Sequence, residues 1–178
     1  HPNIVDMVRY AKEKGIPNVS FLTNGLLLKG RMAEDLIDAG LSYLSISFDG
    51  VYEVYDRIRK PSKFSEAYAR LREFRELKKK KGATKPLVRV CTIWPAVAHN
   101  PEEYKSVMSK VTDKIVCNPF INFFEEEQNP IANFVCQYPW QRISITSGGK
   151  ILPCTGVSIS EGYPLGTIED TTIKAAWH

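Results

Sequence analysis

"NVSFLTNGLLLKGRMAEDLIDAGLSYLSISFDG", residues 18–50, sets two short apolar runs on either side of an amphipathic one. "NVSFLT" (18–23) and "YLSISF" (43–48) have the length and the β-branched or aromatic content of strands. Between them, "RMAEDLIDAG" (31–40) places Met32, Ala33, Leu36 and Ile37 on one helical face, and Gly40 supplies the stop. Strand, helix and strand in succession make a βαβ unit, whose two strands run parallel.

The same alternation extends to both sides. "NIVDMVRYAKEKG" (3–15) predicts a helix with apolar positions 4, 7, 8 and 11, Asn3 as its N-cap and Gly15 as its stop. "FSEAYARLREFRELKKKKG" (64–82) predicts another, with Phe64, Tyr68, Leu71, Phe74 and Leu77 at helical spacing. Its run Lys78 to Lys81 falls at the negative end of the macrodipole and reads as a solvated helix end. "LVRVCTIW" (87–94) reads as a strand. Asn100 then caps a helix with Pro101 at its first position and Glu102 and Glu103 in its first turn, burying Tyr104, Val107, Met108 and Val111. "KIVC" (114–117) is one more strand. The fold class is α/β with a parallel sheet, either an open doubly wound sheet or part of a βα barrel, and periodicity does not separate the two.

After residue 125 the character changes. "FEEEQNPIANF" is loop-like, with Glu125 to Glu127 read as solvated. "CQYPWQRISITSGGKILPC" (136–154) then looks like a β-hairpin turning at Gly148-Gly149, followed by a Gly/Pro-bearing coil and a terminal helix. Two modules are expected, 1–127 and 128–178.

At 178 residues with 43% hydrophobic and 25% charged side chains, the chain has a globular composition. A net charge of +4, much of it in one lysine run, does not indicate a nucleic-acid partner. No run reaches the ~18 apolar residues of a membrane span, and the first residues are not a signal peptide. Cysteines at 91, 117, 136 and 154 are too scattered for a small disulfide scaffold and favour a reducing compartment, the cytoplasm. The chain opens without Met and closes on "TTIKAAWH" with no stop signal after it, which reads as a fragment of a longer protein.

Ligands of parallel α/β folds meet the carboxyl ends of the strands. Those ends read Thr23-Asn24-Gly25, Ser47-Phe48-Asp49-Gly50, Thr92-Ile93-Trp94-Pro95 and Cys117-Asn118-Pro119. Hydroxyls, an amide and a carboxylate at adjacent ends suit a polar, sugar-like or amino-acid-like ligand, while "NG" and "DG" are also ordinary turn pairs. Neither common Gly-rich phosphate loop is present, nor a Gly-x-Ser-x-Gly elbow. The histidines, at 1, 99 and 178, give no support to a His-based triad, and His99 reads as a loop residue. Cys136 and Cys154 could form a disulfide, supply half of a metal site, or be two buried thiols, and their spacing leaves all three open.

Several motifs together resemble the radical S-adenosylmethionine enzymes and, in the second module, their SPASM or twitch auxiliary-cluster extension. "HPNIVDMVRYAKEKG" resembles the helix after that family's Gly-Glu-Pro motif, and "VSFLTNGLLL" its next strand with Thr-Asn-Gly. "YLSISFDG" resembles the strand ending in Ser-x-Asp-Gly. "YDRIRKPSKFSEAYARL" resembles the segment in which His-Asp-x-x-Arg is usual, with Tyr55 in place of that His and with Asp56 and Arg59 matching. "CQYPWQRISITSGGKILPC" resembles the auxiliary domain's signature, and "YPLGTIEDTTIKAAWH" what normally follows it.

The resemblance implies a partial (β/α)6 barrel, of which the four βα repeats are the later two-thirds. It implies Thr23 and Asn24 near the amino-acid end of S-adenosylmethionine, Ser47 bonded to its ribose or methionine part, and Arg59 paired with its carboxylate. Asp49 is expected to shape its turn. Cys136 and Cys154 would share one auxiliary iron-sulfur cluster, which accepts an electron or seats substrate, with further ligands beyond His178. The Cys-x-x-x-Cys-x-x-Cys loop that holds the family's catalytic [4Fe-4S] cluster would lie upstream of residue 1, so the fragment alone would be inactive. A peptide or small-molecule substrate and an electron donor such as flavodoxin or ferredoxin are implied as partners, with no nucleic acid and no membrane. The rival reading from the residues alone is a non-redox α/β binding domain with a structural zinc hairpin, and a third is a disulfide-stapled extracellular domain.

Overall fold

The computed structural model describes residues 1–120, 135–155 and 164–177. It divides into two compact units, His1–Phe123 and Phe124–His178. The expected junction at 127/128 and the Glu125 to Glu127 loop lie outside the described residues.

In the first unit the elements run α1 (Ile4–Glu13), β1 (Ser20–Thr23), α2 (Gly30–Asp38), β2 (Tyr43–Ser47), α3 (Tyr52–Ile58), α4 (Phe64–Lys80), β3 (Leu87–Ile93), α5 (Trp94–Val97), α6 (Pro101–Met108) and β4 (Lys114–Asn118). The four strands form one sheet in the order β1-β2-β3-β4, every pair parallel. This order decides between the two architectures. A doubly wound sheet reverses its strand order at a switch point, whereas a barrel adds each strand beside the last. The unit is a barrel segment.

The pleat divides the strands into two faces. Leu44, Ile46 and Phe48 lie on one face with Val88, Val90 and Thr92, all 3% exposed or less. They pack with Leu36, Leu71, Phe74, Tyr104 and Met108 of the helices into one core. Burying each large apolar side chain there contributes about 1.5–3 kcal/mol. The opposite face carries Ser45, Ser47, Arg89 and Cys91, none of which belongs to that core.

The helix ends differ from expectation in instructive ways. Asn100 caps α6 as predicted, its side-chain oxygen accepting from the Glu103 N–H at 3.2 Å. Asn3 stands at the N-cap position of α1 but makes no side-chain cap, and its N–H donates to Nδ1 of His1 at 3.1 Å. The lysine run is not uniformly solvated. Lys78 is buried, its Nζ donating to the Pro86 carbonyl at 2.8 Å and to Asp113 Oδ2 at 3.1 Å, because the helix turns it toward the loops that lead into β3 and β4. Helices α3 and α5 were not anticipated, being too short for a periodic apolar signal.

The second unit holds a 3₁₀ turn at Tyr138–Trp140, then β5 (Ser144–Ile145), β6 (Lys150–Leu152), β7 (Gly166–Thr167) and α7 (Ile173–Trp177). Strands β5 and β6 pair antiparallel, as the hairpin reading requires, with Ile145 opposite Ile151. Gly149 sits in the turn at φ +81°, and a Cβ there would stand 3.0 Å from Ile168. Strand β7 was not anticipated. It pairs with β6 and completes a three-stranded sheet over the fully buried Ile151. Among the described residues no helix is long and apolar enough to cross a membrane.

Candidate cofactor site and cluster ligands

Adjacent strand ends do not point the same way. Thr23 lies opposite Ile46 in register, so it belongs to the helix-facing side of the sheet. Its hydroxyl accepts from the Gly25 N–H at 3.2 Å, and Asn24 Oδ1 accepts from the Leu26 N–H at 3.1 Å. Both oxygens close their own turn, the chemistry that "TNG" also allows. Ser47 lies opposite Cys91 on the other face, and among the described residues its hydroxyl has no hydrogen-bond partner.

The densest polar arrangement is built on Asp49. Its carboxylate, on a residue only 6% exposed, ion-pairs with Arg59 Nη2 and accepts from the Thr92 hydroxyl and the Ile93 N–H, each at 3.2 Å. One side chain thereby ties the end of β2 to the end of β3 and to the residue that closes α3. Asp49 does not merely shape its turn, as expected, because the strand end points it inward, where an unpaired carboxylate would be costly. Arg59 Nε is buried with no hydrogen-bond partner among the described residues. Arg59 lines a cavity of about 270 Å³ together with Asn24, Tyr55, Lys60 and Ser62. Of the four expected cofactor residues the structure brings Asn24 and Arg59 to this cavity, and neither Thr23 nor Ser47 lines it.

The surroundings hold this wall in place. Tyr55, 1% exposed, packs its ring 4.4 Å from that of Phe48 and shares a 3.2 Å hydrogen bond with Ser62. Asp56 accepts from the Phe64 N–H at 2.6 Å and meets Lys63 at 3.2 Å. The Phe64 N–H, with Lys63 beside it, holds that carboxyl below the usual aspartate value although partial burial opposes the shift. Tyr104 donates to the Phe48 carbonyl at 2.7 Å, and burial pushes its phenol upward.

These residues fit a ligand with a carboxylate. A buried guanidinium nitrogen lacks an acceptor beside a polar cavity, and the planar donors of arginine match a carboxylate. Sequence reading placed Asp49 and Thr92 at strand ends but missed the network that joins them to Arg59. The available signal was an aspartate at a strand end with an arginine ten residues on.

In the second unit Cys136 is exposed and Cys154 is half-buried, and both are free thiols. Cys136 precedes the 3₁₀ turn, and Cys154 follows β6 by two residues. Two thiols outside a disulfide suit a soft metal or an iron-sulfur cluster. Among the described residues no three or more of His, Cys, Asp and Glu gather as a metal site. Cys91 and Cys117 do not make a pair of ligands, since Cys91 is registered with Val116 and Cys117 with Thr92, on opposite faces.

A family model described as the Radical SAM superfamily matches residues 1–111. The chain belongs to the radical SAM superfamily. A second model, SPASM, described as an iron-sulfur cluster-binding domain, matches residues 136–178. The chain is also similar to an Fe-coproporphyrin III synthase from Methanosarcina barkeri, 40% identical over 57 residues. That match covers 32% of this chain and spans 14% of the relative's length. Radical SAM membership brings S-adenosylmethionine and a [4Fe-4S] cluster as cofactors, and the SPASM domain brings auxiliary iron-sulfur clusters.

Proposed function

We propose that this chain is the later part of a radical SAM oxidoreductase that cleaves S-adenosylmethionine reductively and removes hydrogen from a peptide or small-molecule substrate. The observation that carries the site assignment is the buried, partnerless Nε of Arg59 beside the cavity it shares with Asn24. Arg59, fixed by Asp49, pairs with the cofactor's carboxylate, and the amide of Asn24 and the hydroxyl of Ser47 orient its amino-acid and ribose parts. Thr23 acts through its turn, holding Asn24 in place. When bound and reduced, the cofactor supplies a 5'-deoxyadenosyl radical for hydrogen abstraction. The strand-end residues position it and exclude water.

Cys136 and Cys154 ligate one auxiliary iron-sulfur cluster, and the reductant is a flavodoxin- or ferredoxin-type protein of a reducing cytoplasm. Anaerobic reconstitution of the full-length parent protein with iron and sulfide tests the reading. Cluster absorbance, S-adenosylmethionine binding and reductant-dependent formation of 5'-deoxyadenosine are expected. Zinc without iron, or no cofactor cleavage, overturns it.

A further inference from the structure

Strands in parallel register stack their side chains into rows across the sheet. On the face opposite the core, one row runs Leu22, Ser45, Arg89, Lys114, and the row nearer the carboxyl ends runs Ser47, Cys91, Val116. Arg89 and Lys114 are direct neighbours in register. Like charges so placed repel. No acidic residue occurs in any of the four strands, and neither cation forms an ion pair among the described residues.

The arginine is also oriented. Its Nε donates to the hydroxyl of Ser45, a residue 1% exposed, so the guanidinium of the half-buried Arg89 is anchored at its inner nitrogen. The Nη1 and Nη2 edge is left free of protein partners among the described residues. That edge presents two parallel N–H donors, the geometry that recognises a carboxylate or phosphate. Lys114, exposed at the start of β4, adds a second positive charge beside it.

We infer that Arg89 and Lys114, with Ser45 as the anchor, form a binding site for an oxyanion group, carboxylate or phosphate, of the substrate. The inference rests on the radical SAM reading above and names the substrate class: a molecule whose anionic group lies deeper in the barrel than its reacting carbon. The row of Arg89 is two residues below that of Ser47, about 7 Å along the strands. A compact substrate can span that distance.

The test is protection from arginine modification in the reconstituted full-length protein, read at each peptide by mass spectrometry after phenylglyoxal. Glutarate is the carboxylate probe and inorganic phosphate the phosphate probe. Saturable protection of Arg89 by either is expected, and the effective one identifies the oxyanion. Lys114→Gln should raise the half-protecting concentration about tenfold. Arg89 protected by neither probe, or unreactive before any anion is added, overturns the inference. Cluster content and protection of Arg59 by S-adenosylmethionine are measured on the same sample. If these fail while glutarate or phosphate still protects Arg89, the cofactor reading falls and the anion site stands.

Discussion

Asp49, at the end of β2, ion-pairs with Arg59 as α3 ends, and the same carboxylate also holds the Thr92 hydroxyl and the Ile93 N–H of β3. Asp49→Asn keeps the shape and removes the charge that orients the guanidinium. Loss of this largely buried pair should cost about 1–3 kcal/mol of stability, read as a shift in the denaturation midpoint. In the reconstituted full-length protein, S-adenosylmethionine should bind more weakly to Asp49→Asn than to Thr92→Val, which leaves the ion pair intact. Equal binding by both variants would separate Asp49 from the cofactor site.

Lys78 and Lys79 are neighbours in one lysine run with opposite fates, the first buried and the second exposed. Lys78→Met leaves Asp113 without its cation and the Pro86 carbonyl without its donor, for an expected loss of about 1–3 kcal/mol. Lys79→Met should stay within about 0.5 kcal/mol of the parent. Paired urea melts of the two variants check the contrast.

Gly50 follows Asp49 at φ +75°, and a Cβ there would stand 2.4 Å from Val54 Cγ1 and 3.2 Å from the Ala96 carbonyl. Gly50→Ala must therefore strain the backbone and displace the start of α3 together. A destabilisation above ~2 kcal/mol is expected. Gly15→Ala, at φ +81° but in open space, should cost less. The difference between the two melting temperatures isolates the packing part.

Asp56 is held below its usual value of 3.8, chiefly by the Phe64 N–H. A depressed folded-state value means that its stabilisation is complete above the unfolded value and is lost as pH falls through the folded one. The stability difference between the parent and Asp56→Asn should be constant at neutral pH and shrink below about pH 4. Urea midpoints measured from pH 7 down to pH 3 follow it. A gap that widened on acidification would contradict the Phe64 contact.

If Cys136 and Cys154 hold one cluster, Cys136→Ser and Cys154→Ser should each lower iron and sulfide in the full-length protein by the same amount, and the double variant by no more than either. Additive losses in the iron assay would place the two thiols on different clusters.

The alternation of helix and strand was legible because each apolar run carries its own period, and the Asn100 cap was legible because it is local. Register was not. Thr23 and Ser47 look equivalent in sequence, each at a strand end, yet Thr23 pairs with Ile46 and so faces the helices while Ser47 faces the opposite side. Only the non-local pairing of β1 with β2 decides this. The Asp49 to Arg59 pair was hidden for a related reason, since the unanticipated α3 folds the arginine back over the strand end. Lys78 read as solvated because a charge run has no sign for the loop carboxylate that meets it.

The alternation in β3 also guards the assembly of the sheet. Val88, Val90 and Thr92 face the core while Arg89 and Cys91 face away. Slippage of this strand by a single position would drive a guanidinium into the apolar layer between sheet and helices and turn two valines out of it. Arg89 is thus a proofreading residue for strand alignment, and an insertion or deletion of one residue in the loop 82–86 would be tolerated only if the loop absorbed it and β3 kept its place.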